Sequence, residues 1–234
     1  MHAVILAAGE GSRMGPHTDD VPKAFMDLGG ETLYRRQRDA IDPYVDDVTV
    51  VLGYAYENVV DRLGSARPVI FEDWADYENA ESLRRGTAGV DDDVLVLNGD
   101  VLVAGSVIER VVDRFEAAPG RSVVAAIPGH QEGSTAVRSD DRGVVTDYGM
   151  IRGHRHAGLG VVDRSHLDEA RAHLAAHRDE WYPGIYTRVV TEMVPIPSGG
   201  HVEINYPSDR AAARDKLPLD APDGLDLQTS ATHE

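Results

Sequence analysis

The sequence predicts an α/β fold in which helices cover a doubly wound, mostly parallel mixed sheet. Short apolar runs rich in branched residues recur along the first half of the chain, helical patterns separate them, and a glycine-rich segment follows the first run. Such runs fit strands that are buried on both faces, and their alternation with helices indicates βαβ units. A length of 234 residues suits a single domain of this class.

The first half of the chain predicts five strands and four helices. The strands cover residues 4–6, 48–52, 68–71, 94–97 and 123–127. The helices cover residues 32–41, 56–63, 80–88 and 107–117. Apolar residues at 107, 108, 111, 112 and 115 place one face of the last helix against the sheet.

The second half predicts a small β-hairpin inserted into this fold. Residues 136–139 and 144–148 form its strands, and Asp140-Asp141-Arg142-Gly143 forms its turn. A strand over 159–162 follows, and then a helix from Ser165 to about Arg178, with Asp168 completing a capping pattern. The last elements are a strand over 202–204 and a helix over 207–217. Residues 218–234 have the composition of a disordered tail.

The composition excludes several classes of protein. Asp and Glu number 40 against 23 Lys and Arg, and a net charge of −17 repels both nucleic acid and anionic lipid. The absence of cysteine excludes disulfides, zinc–thiolate sites and thiol nucleophiles. No spanning apolar run and no signal-peptide pattern is present, so we expect a cytoplasmic protein. Lys23 and Lys216 are the only lysines, which favours a halophilic protein over an acidic mesophilic one.

A glycine-rich segment, Leu6-Ala7-Ala8-Gly9-Glu10-Gly11-Ser12-Arg13, directly follows the first predicted strand. Glycines let backbone N–H groups approach a phosphate chain at the carboxyl ends of the strands, where α/β sheets bind ligands. Met14 replaces the third glycine of a dinucleotide fingerprint, and the Gly-Lys-Ser/Thr of a P-loop is absent. Arg13 and Lys23 add the two cations that a nucleoside triphosphate needs. The alternative is an ordinary turn with a solvated arginine and lysine.

This segment and the motifs that follow it carry a family resemblance. Leu6-Ala-Ala-Gly-x-Gly-Ser-Arg-Met14, followed by Pro22-Lys23 and Gly29-Gly30-Glu31-Thr32-Leu33, resembles the signature of the GT-A-like nucleotidyltransferases. These enzymes couple a nucleoside triphosphate to a phosphorylated sugar or alcohol and release pyrophosphate. The chain looks most like their phosphocholine cytidylyltransferase branch, because Leu52-Gly53-Tyr54, residues 71–79 and Ser82-Leu83 fall in that branch's order. The resemblance covers about residues 1–217 and implies a nucleotide-binding half, 1–127, and an acceptor-binding half, 128–217.

The resemblance also implies roles for individual residues. Arg13 and Lys23 would be catalytic, and Asp100 would bind Mg²⁺ together with Asn205, which stands where the cytidylyltransferases have Asp. Ser82, with Asn79 as second candidate, would face the base, which favours CTP over UTP. The implied nucleotide-binding residues are Leu6, Ala7, Ala8, Gly9, Gly11, Ser12, Arg13, Lys23, Asn79, Ser82 and Gly99. Each polar residue also has a structural alternative, because Asp, Asn and Ser are common at turns and helix caps.

The acceptor pocket is the least defined part of the sequence. Residues 130–146, where part of a cage for a quaternary ammonium would fall, contain no aromatic residue, so phosphocholine itself is not favoured. Tyr148, Trp181, Tyr182 and Tyr186 are candidates either for a pocket or for the core. His154-Arg155-His156 fits a solvated loop better than a metal site.

The predicted reaction is in-line attack by an acceptor phosphate oxygen on the α-phosphorus of the triphosphate, with pyrophosphate leaving. A phosphate monoester is already anionic near neutral pH, so no general base is needed. The expected partners are a nucleoside triphosphate and a phosphorylated small molecule. Two other classes stay open: a glycosyltransferase of the same broad fold, although Asp100 is not followed by an Asp-x-Asp pattern, and a non-catalytic nucleotide-binding module.

Overall fold

A computed structural model of the protein describes residues 1–217 and 219, so the predicted tail lies almost wholly outside the described residues. The strands in this part of the chain are β1 His2–Ala7, β2 Asp47–Leu52, β3 Arg67–Ile70, β4 Val94–Asn98, β5 Val101–Val103, β6 Ser122–Ile127, β7 Ala136–Ser139, β8 Val145–Gly149, β9 His154–Val162, β10 Thr191–Pro195 and β11 His201–Glu203. The α-helices are α1 Leu33–Ile41, α2 Asn79–Gly86, α3 Gly105–Glu116, α4 Leu167–Ala176 and α5 Pro207–Asp215. None of these helices has the length and apolar character that crossing a bilayer requires.

The main sheet has the strand order β10-β6-β9-β4-β1-β2-β3. β1 pairs in parallel with β2 and β4, and β2 with β3. β9 runs antiparallel between β4 and β6, and β10 is parallel to β6 at the edge. The predicted α/β fold with a mostly parallel mixed sheet is therefore confirmed.

Each face of the sheet has its own core, as the apolar runs predict. Ala3 and Ile5 of β1 belong to one cluster, which also contains buried residues of α1 and α3. Val4 points to the opposite cluster, which contains Leu83 of α2 and Leu174 of α4. Because successive side chains of a strand point to opposite faces, a continuous apolar run supplies both cores.

The predicted hairpin of β7 and β8 is confirmed. It joins the sheet through β7, which pairs with the first part of β9. The Asp140 carboxylate accepts hydrogen bonds from the backbone N–H groups of Arg142 and Val144, at 2.9 Å each. Gly143 has a φ of 80°, which a residue with a Cβ rarely adopts. The Asp and Gly of the turn therefore act as the sequence predicts.

The helix predicted over residues 56–63 is wrong. The chain forms two short 3₁₀ turns instead, Tyr56–Asn58 and Val60–Arg62. Val59 separates them with a φ of −133°, which is outside the helical range, while its side chain is fully buried. The non-helical backbone of Val59 therefore divides the segment into two separate turns.

The start of the helix predicted from Ser165 is also corrected. Asp163 is the capping residue, and its carboxylate accepts a hydrogen bond from the Ser165 N–H at 2.8 Å. A 3₁₀ turn, Arg164–His166, precedes α4, which ends at Ala176 rather than near residue 178. Asp163, two residues before Ser165, is therefore the capping residue, a role that the sequence pattern assigned to Ser165.

The glycine that follows β4 sets the distance between β4 and β1. The Gly99 N–H donates to the Leu6 carbonyl at 2.9 Å, and a Cβ at position 99 would lie only 2.5 Å from that oxygen. Neither atom can move away without breaking the sheet, because both belong to backbone that pairs with neighbouring strands. Gly99 is thus needed for close packing at the edge where the glycine-rich segment begins.

We expect Gly99→Ala to lower the free energy of unfolding by about 1–3 kcal/mol, the usual cost of overpacking a buried site. Urea unfolding measures this change. The matched control is Gly105→Ala, because a Cβ at position 105 meets nothing within 4 Å. An unfolding midpoint for Gly99→Ala equal to that of Gly105→Ala would contradict this account of the β1–β4 spacing.

Candidate active site

Two adjoining cavities open at the carboxyl ends of β1 and β4. The first, of about 520 Å³, is bordered by the glycine-rich segment and is here called the loop cavity. The second, of about 210 Å³, extends toward β8 and is here called the inner cavity. Arg13, Glu78, Asn79, Asn98 and Asp100 line both. A ligand in one cavity would therefore lie directly beside a ligand in the other.

Most of the predicted nucleotide-binding residues line the loop cavity. They are Leu6, Ala7, Gly9, Gly11, Ser12, Arg13, Lys23, Asn79 and Gly99. Ala8 belongs to the same segment but does not line the loop cavity. Its carbonyl accepts a hydrogen bond from the Tyr54 N–H at 2.8 Å. Ser82 is buried within α2, with 6% of its surface exposed, and lines neither cavity. The structure thus brings Asn79, rather than Ser82, to the crevice.

The geometry of the glycine-rich segment depends on Gly11. This residue has a φ of 68°, which favours glycine. A Cβ at position 11 would also lie 3.1 Å from the Cβ of Lys23 and 3.2 Å from its Cε. The close approach fixes the direction of the lysine stem, which begins on a 3₁₀ turn directly after Pro22.

Lys23 and Arg13 converge on one pair of oxygens. The Lys23 ammonium donates to Oδ2 of Asp100 and to Oδ1 of Asn205, at 3.1 Å each. Arg13 Nη2 donates to the same Asn205 oxygen at 3.0 Å. Two cations thus face one carboxylate and one neutral amide, and they are brought together in a protein of net charge −17. Arg13 and Lys23 are therefore placed to pair with an anionic ligand at this point.

Asn205 reaches this cluster through strand pairing that the sequence did not predict. β5 and β11 form a two-stranded antiparallel ribbon, and the Ile204 N–H donates to the Asp100 carbonyl at 2.9 Å. Asn205 Nδ2 donates to Oε1 of Glu203 at 2.7 Å, which turns the amide oxygen toward the two cations. The Asp209 carboxylate accepts the Asn205 N–H at 2.9 Å and thereby holds the chain as it enters α5.

The oxygens of Asp100 and Asn205 could hold a divalent cation. Both already contact the same positive group, the Lys23 ammonium, so they are oriented toward a common point. One carboxylate and one amide oxygen are hard ligands that suit Mg²⁺, which takes its remaining ligands from water and substrate phosphates. No set of three or more His, Asp or Glu side chains with metal-binding geometry occurs among residues 1–217 and 219.

The inner cavity combines aromatic and acidic side chains. Tyr148, Trp181 and Tyr182 line it, whereas Tyr186 is buried in the core. Glu78 and Glu203 contribute carboxylates. Neither glutamate was predicted as a site residue, although Glu78 lies in the stretch 71–79 that carries the resemblance and Glu203 in the strand predicted over 202–204. Glu203 reaches the cavity through the pairing of β5 with β11, and Glu78 through its place at the start of α2.

The segment His154-Arg155-His156 is part of β9, not a solvated loop. The strand begins five residues earlier than predicted because its first part pairs with β7 and with the end of β6. His156 is buried at the inner cavity, where burial and then His201 lower its pKa to about 3. It is neutral at physiological pH and adds no positive charge to the pocket.

A crevice that brings two cationic side chains between a glycine-rich turn and the carboxyl ends of parallel strands is typical of a nucleotide-binding α/β protein. The profile of the MobA-like NTP transferase domain matches residues 3–191. The chain belongs to this family.

Individual relatives agree with the family. The CMP-5'-(3-aminopropyl)phosphonate synthase of Streptomyces rubellomurinus is 33% identical over 166 residues, which are 68% of this chain and 26% of the relative. The bifunctional protein GlmU of Methanocaldococcus jannaschii is 27% identical over 103 residues, 44% of this chain and 25% of the relative. The chain thus spans about a quarter of the length of these relatives.

Solved structures share the fold at lower identity. The CTP:phosphocholine cytidylyltransferase of Streptococcus pneumoniae superposes with a TM-score of 0.69 at 19% identity, covering 92% of this chain and 98% of that one. The inositol-1-phosphate CTP transferase of T. maritima gives a TM-score of 0.75 at 17% identity, covering 94% and 98%. The predicted resemblance to nucleotidyltransferases of this fold is confirmed.

Proposed function

We propose that this protein transfers a nucleotidyl group from a nucleoside triphosphate, preferably CTP, to an acceptor that carries a phosphate or phosphonate, with release of pyrophosphate. The observation that carries the proposal is the convergence of Lys23 and Arg13 on Asp100 and Asn205 between two adjoining cavities. A two-substrate transfer of charged groups needs cations at the boundary between its substrates.

The loop cavity would hold the triphosphate. Backbone N–H groups around Gly9 and Gly11 can approach its phosphates, and Arg13 and Lys23 can neutralise them. Asp100 and Asn205 would hold Mg²⁺, and the bound ion supplies further charge neutralisation on the phosphates. Asn79 would be the base-facing residue on α2 in place of Ser82, because it lines the cavity.

The inner cavity would hold the acceptor, so that its phosphate or phosphonate oxygen faces the α-phosphorus. This oxygen forms the new bond to the α-phosphorus while the bond from the α-phosphorus to the bridging oxygen breaks, and pyrophosphate leaves with the bond electrons. Lys23 and Arg13 stabilise the charge that develops on the leaving group. The attacking oxygen is already anionic near neutral pH, so the step needs no general base.

The acceptor that fits the inner cavity best carries an amino group. Glu78 and Glu203 are negatively charged partners for an ammonium, and Trp181 and Tyr148 offer aromatic faces. The relative from Streptomyces is named for an aminopropylphosphonate product, which supports an aminoalkyl phosphonate or phosphate over a neutral sugar phosphate. We further propose that the enzyme works in the cytoplasm, where nucleoside triphosphates are made, and tolerates high salt because of its acidic surface.

A pyrophosphate-release screen tests this proposal. CTP, UTP, ATP and GTP are each combined with 3-aminopropylphosphonate, phosphoethanolamine, phosphocholine, inositol 1-phosphate and glucose 1-phosphate, with Mg²⁺, at low and at molar KCl. We expect the highest kcat/KM for CTP with a primary-amine acceptor, and activity that persists in molar salt. If every pair is inactive, the proposed transfer reaction is contradicted. Binding of CTP without turnover would then favour a non-catalytic nucleotide-binding module.

A further inference from the structure

One buried carboxylate on α2 binds three arginines. The Glu81 side chain has 0% exposure, and Arg84 makes two hydrogen bonds to it, at 2.6 and 2.7 Å. Arg85 adds one at 2.7 Å. Arg178, 97 residues away, adds two at 2.9 and 3.1 Å. Burial would raise the pKa of Glu81, but the arginine hydrogen bonds outweigh it and lower this pKa to about 2, so the carboxylate is ionised at physiological pH.

Arg178 begins a short segment that docks on the start of α2, here called the docking segment, residues 178–182. Its carbonyls at Arg178 and Glu180 accept the N–H groups of Glu78 and Ala80, at 3.3 and 3.2 Å. These N–H groups belong to the start of the helix, where no intrahelical partner exists. The Tyr182 N–H in turn donates to Oδ1 of Asn79 at 2.8 Å. The docking segment and the first turn of α2 therefore satisfy each other's polar groups.

The docking segment also forms a wall of the inner cavity. Trp181 and Tyr182 line that cavity from one side, and Glu78 and Asn79 line it from α2. The ion pair between Arg178 and Glu81 joins these two walls, and the Arg178 guanidinium also packs over the Tyr77 ring, 4.0 Å from its centroid. Arg84 binds the same carboxylate with two bonds but lies within α2 itself, so it joins no second wall.

We propose that the Arg178–Glu81 ion pair is a positioning element for the acceptor, because it fixes the docking segment against α2 and thereby sets the width of the inner cavity. This role rests on the proposed transfer reaction. Arg178 lines neither cavity and therefore touches no substrate. Its effect passes through Trp181 and Tyr182, whose positions depend on the docking segment.

The variants Arg178→Gln and Arg84→Gln form a matched pair. Each removes two hydrogen bonds from Glu81, and both arginine side chains are 36% exposed. Both variants leave two arginines on the carboxylate, but Arg178→Gln also removes the contact with the Tyr77 ring, so its loss of stability in urea unfolding should be at least as large as that of Arg84→Gln. We expect Arg178→Gln to raise the KM for the acceptor by about 10- to 100-fold, since displaced positioning groups have effects of this size. Arg84→Gln should change that KM by less than about threefold.

Hydrogen exchange supplies a readout that does not depend on turnover. The Tyr182 amide and its neighbours in the docking segment should lose protection in Arg178→Gln and keep it in Arg84→Gln. Arg178→Lys retains the charge but not the two-point geometry, so it should fall between wild type and Arg178→Gln, and it replaces that variant if the latter does not fold.

Equal acceptor KM shifts in the two glutamine variants, or equal exchange in the docking segment, would leave Glu81 with a purely structural role and overturn the proposal. The proposed reaction is judged separately by pyrophosphate release from the wild-type protein. If the wild type is inactive with every acceptor while the exchange difference is present, the reaction fails and the docking of residues 178–182 stands.

Discussion

Lys23→Ala is expected to lower kcat by about 10²- to 10³-fold, the usual effect of removing one charge-stabilising donor from an active site. Lys23 is the cation that contacts both Asp100 and Asn205, and its side chain is only 13% exposed. Water that replaces the ammonium cannot supply a fixed positive charge beside the leaving pyrophosphate. The loss should appear in kcat more than in the KM for CTP, because the charge on the leaving group develops during the reaction.

The natural control is Lys216→Ala, because Lys216 is the only other lysine of the chain and lies exposed just after α5. Its removal deletes the same charge from the protein without touching the cluster. Pyrophosphate release and urea unfolding are measured for both variants. A Lys23→Ala protein that keeps turnover within about threefold of the Lys216→Ala protein would show that Lys23 is not catalytic.

Asp100→Asn is expected to abolish most divalent-cation binding in the nucleotide complex and to lower kcat by at least about 10²-fold. The substitution keeps the size of the side chain and an oxygen that can accept from Lys23, but it removes the only carboxylate among the four converging side chains. Two neutral amide oxygens attract Mg²⁺ much less than a carboxylate does. The substitution therefore separates the need for charge from the need for shape.

The affinity for Mn²⁺ is measured by calorimetry with a non-hydrolysable CTP analogue present. This measurement tests the loss of cation binding independently of turnover. Asp168→Asn is the control, because it removes the same charge from the fully exposed surface of α4. We expect the control to bind Mn²⁺ like the wild type. Unchanged Mn²⁺ affinity in Asp100→Asn would remove Asp100 from the metal site.

The parts of the fold that were predicted correctly are those whose signal is local. The apolar run of β4 and the turn of the β7–β8 hairpin depend on residues within a few positions of one another. β10 was missed because its five residues include Glu192, whose charge hides the pattern; the structure buries Glu192 beside Arg114. The helix predicted over residues 56–63 was wrong because Val59, with a φ of −133°, divides the segment into two separate turns.

The candidate site likewise has a part that local sequence patterns predict and a part that only the fold defines. The sequence predicted Gly11, Lys23 and Asp100 as candidate site residues, since a glycine-rich turn and a carboxylate after a strand are local patterns. The inner cavity was not defined, because its walls come from α2, β8, β9, β11 and the docking segment. Arg178 binds Glu81 across 97 positions of the chain, so no local sequence pattern indicates that the two residues meet.

The sequence by itself determined the local features of the candidate site: a glycine-rich turn, two cations that follow it in the chain, and an aspartate at the end of a parallel strand. Only the tertiary structure decided that Asn205 meets Lys23 across 182 residues, that Asn79 rather than Ser82 reaches the crevice, and which aromatic side chains line the inner cavity. The physical reason is the range of the interactions. Backbone conformation and strand burial follow from neighbouring residues, whereas convergence of side chains follows from the register of β5 against β11 and from the docking of residues 178–182 on α2.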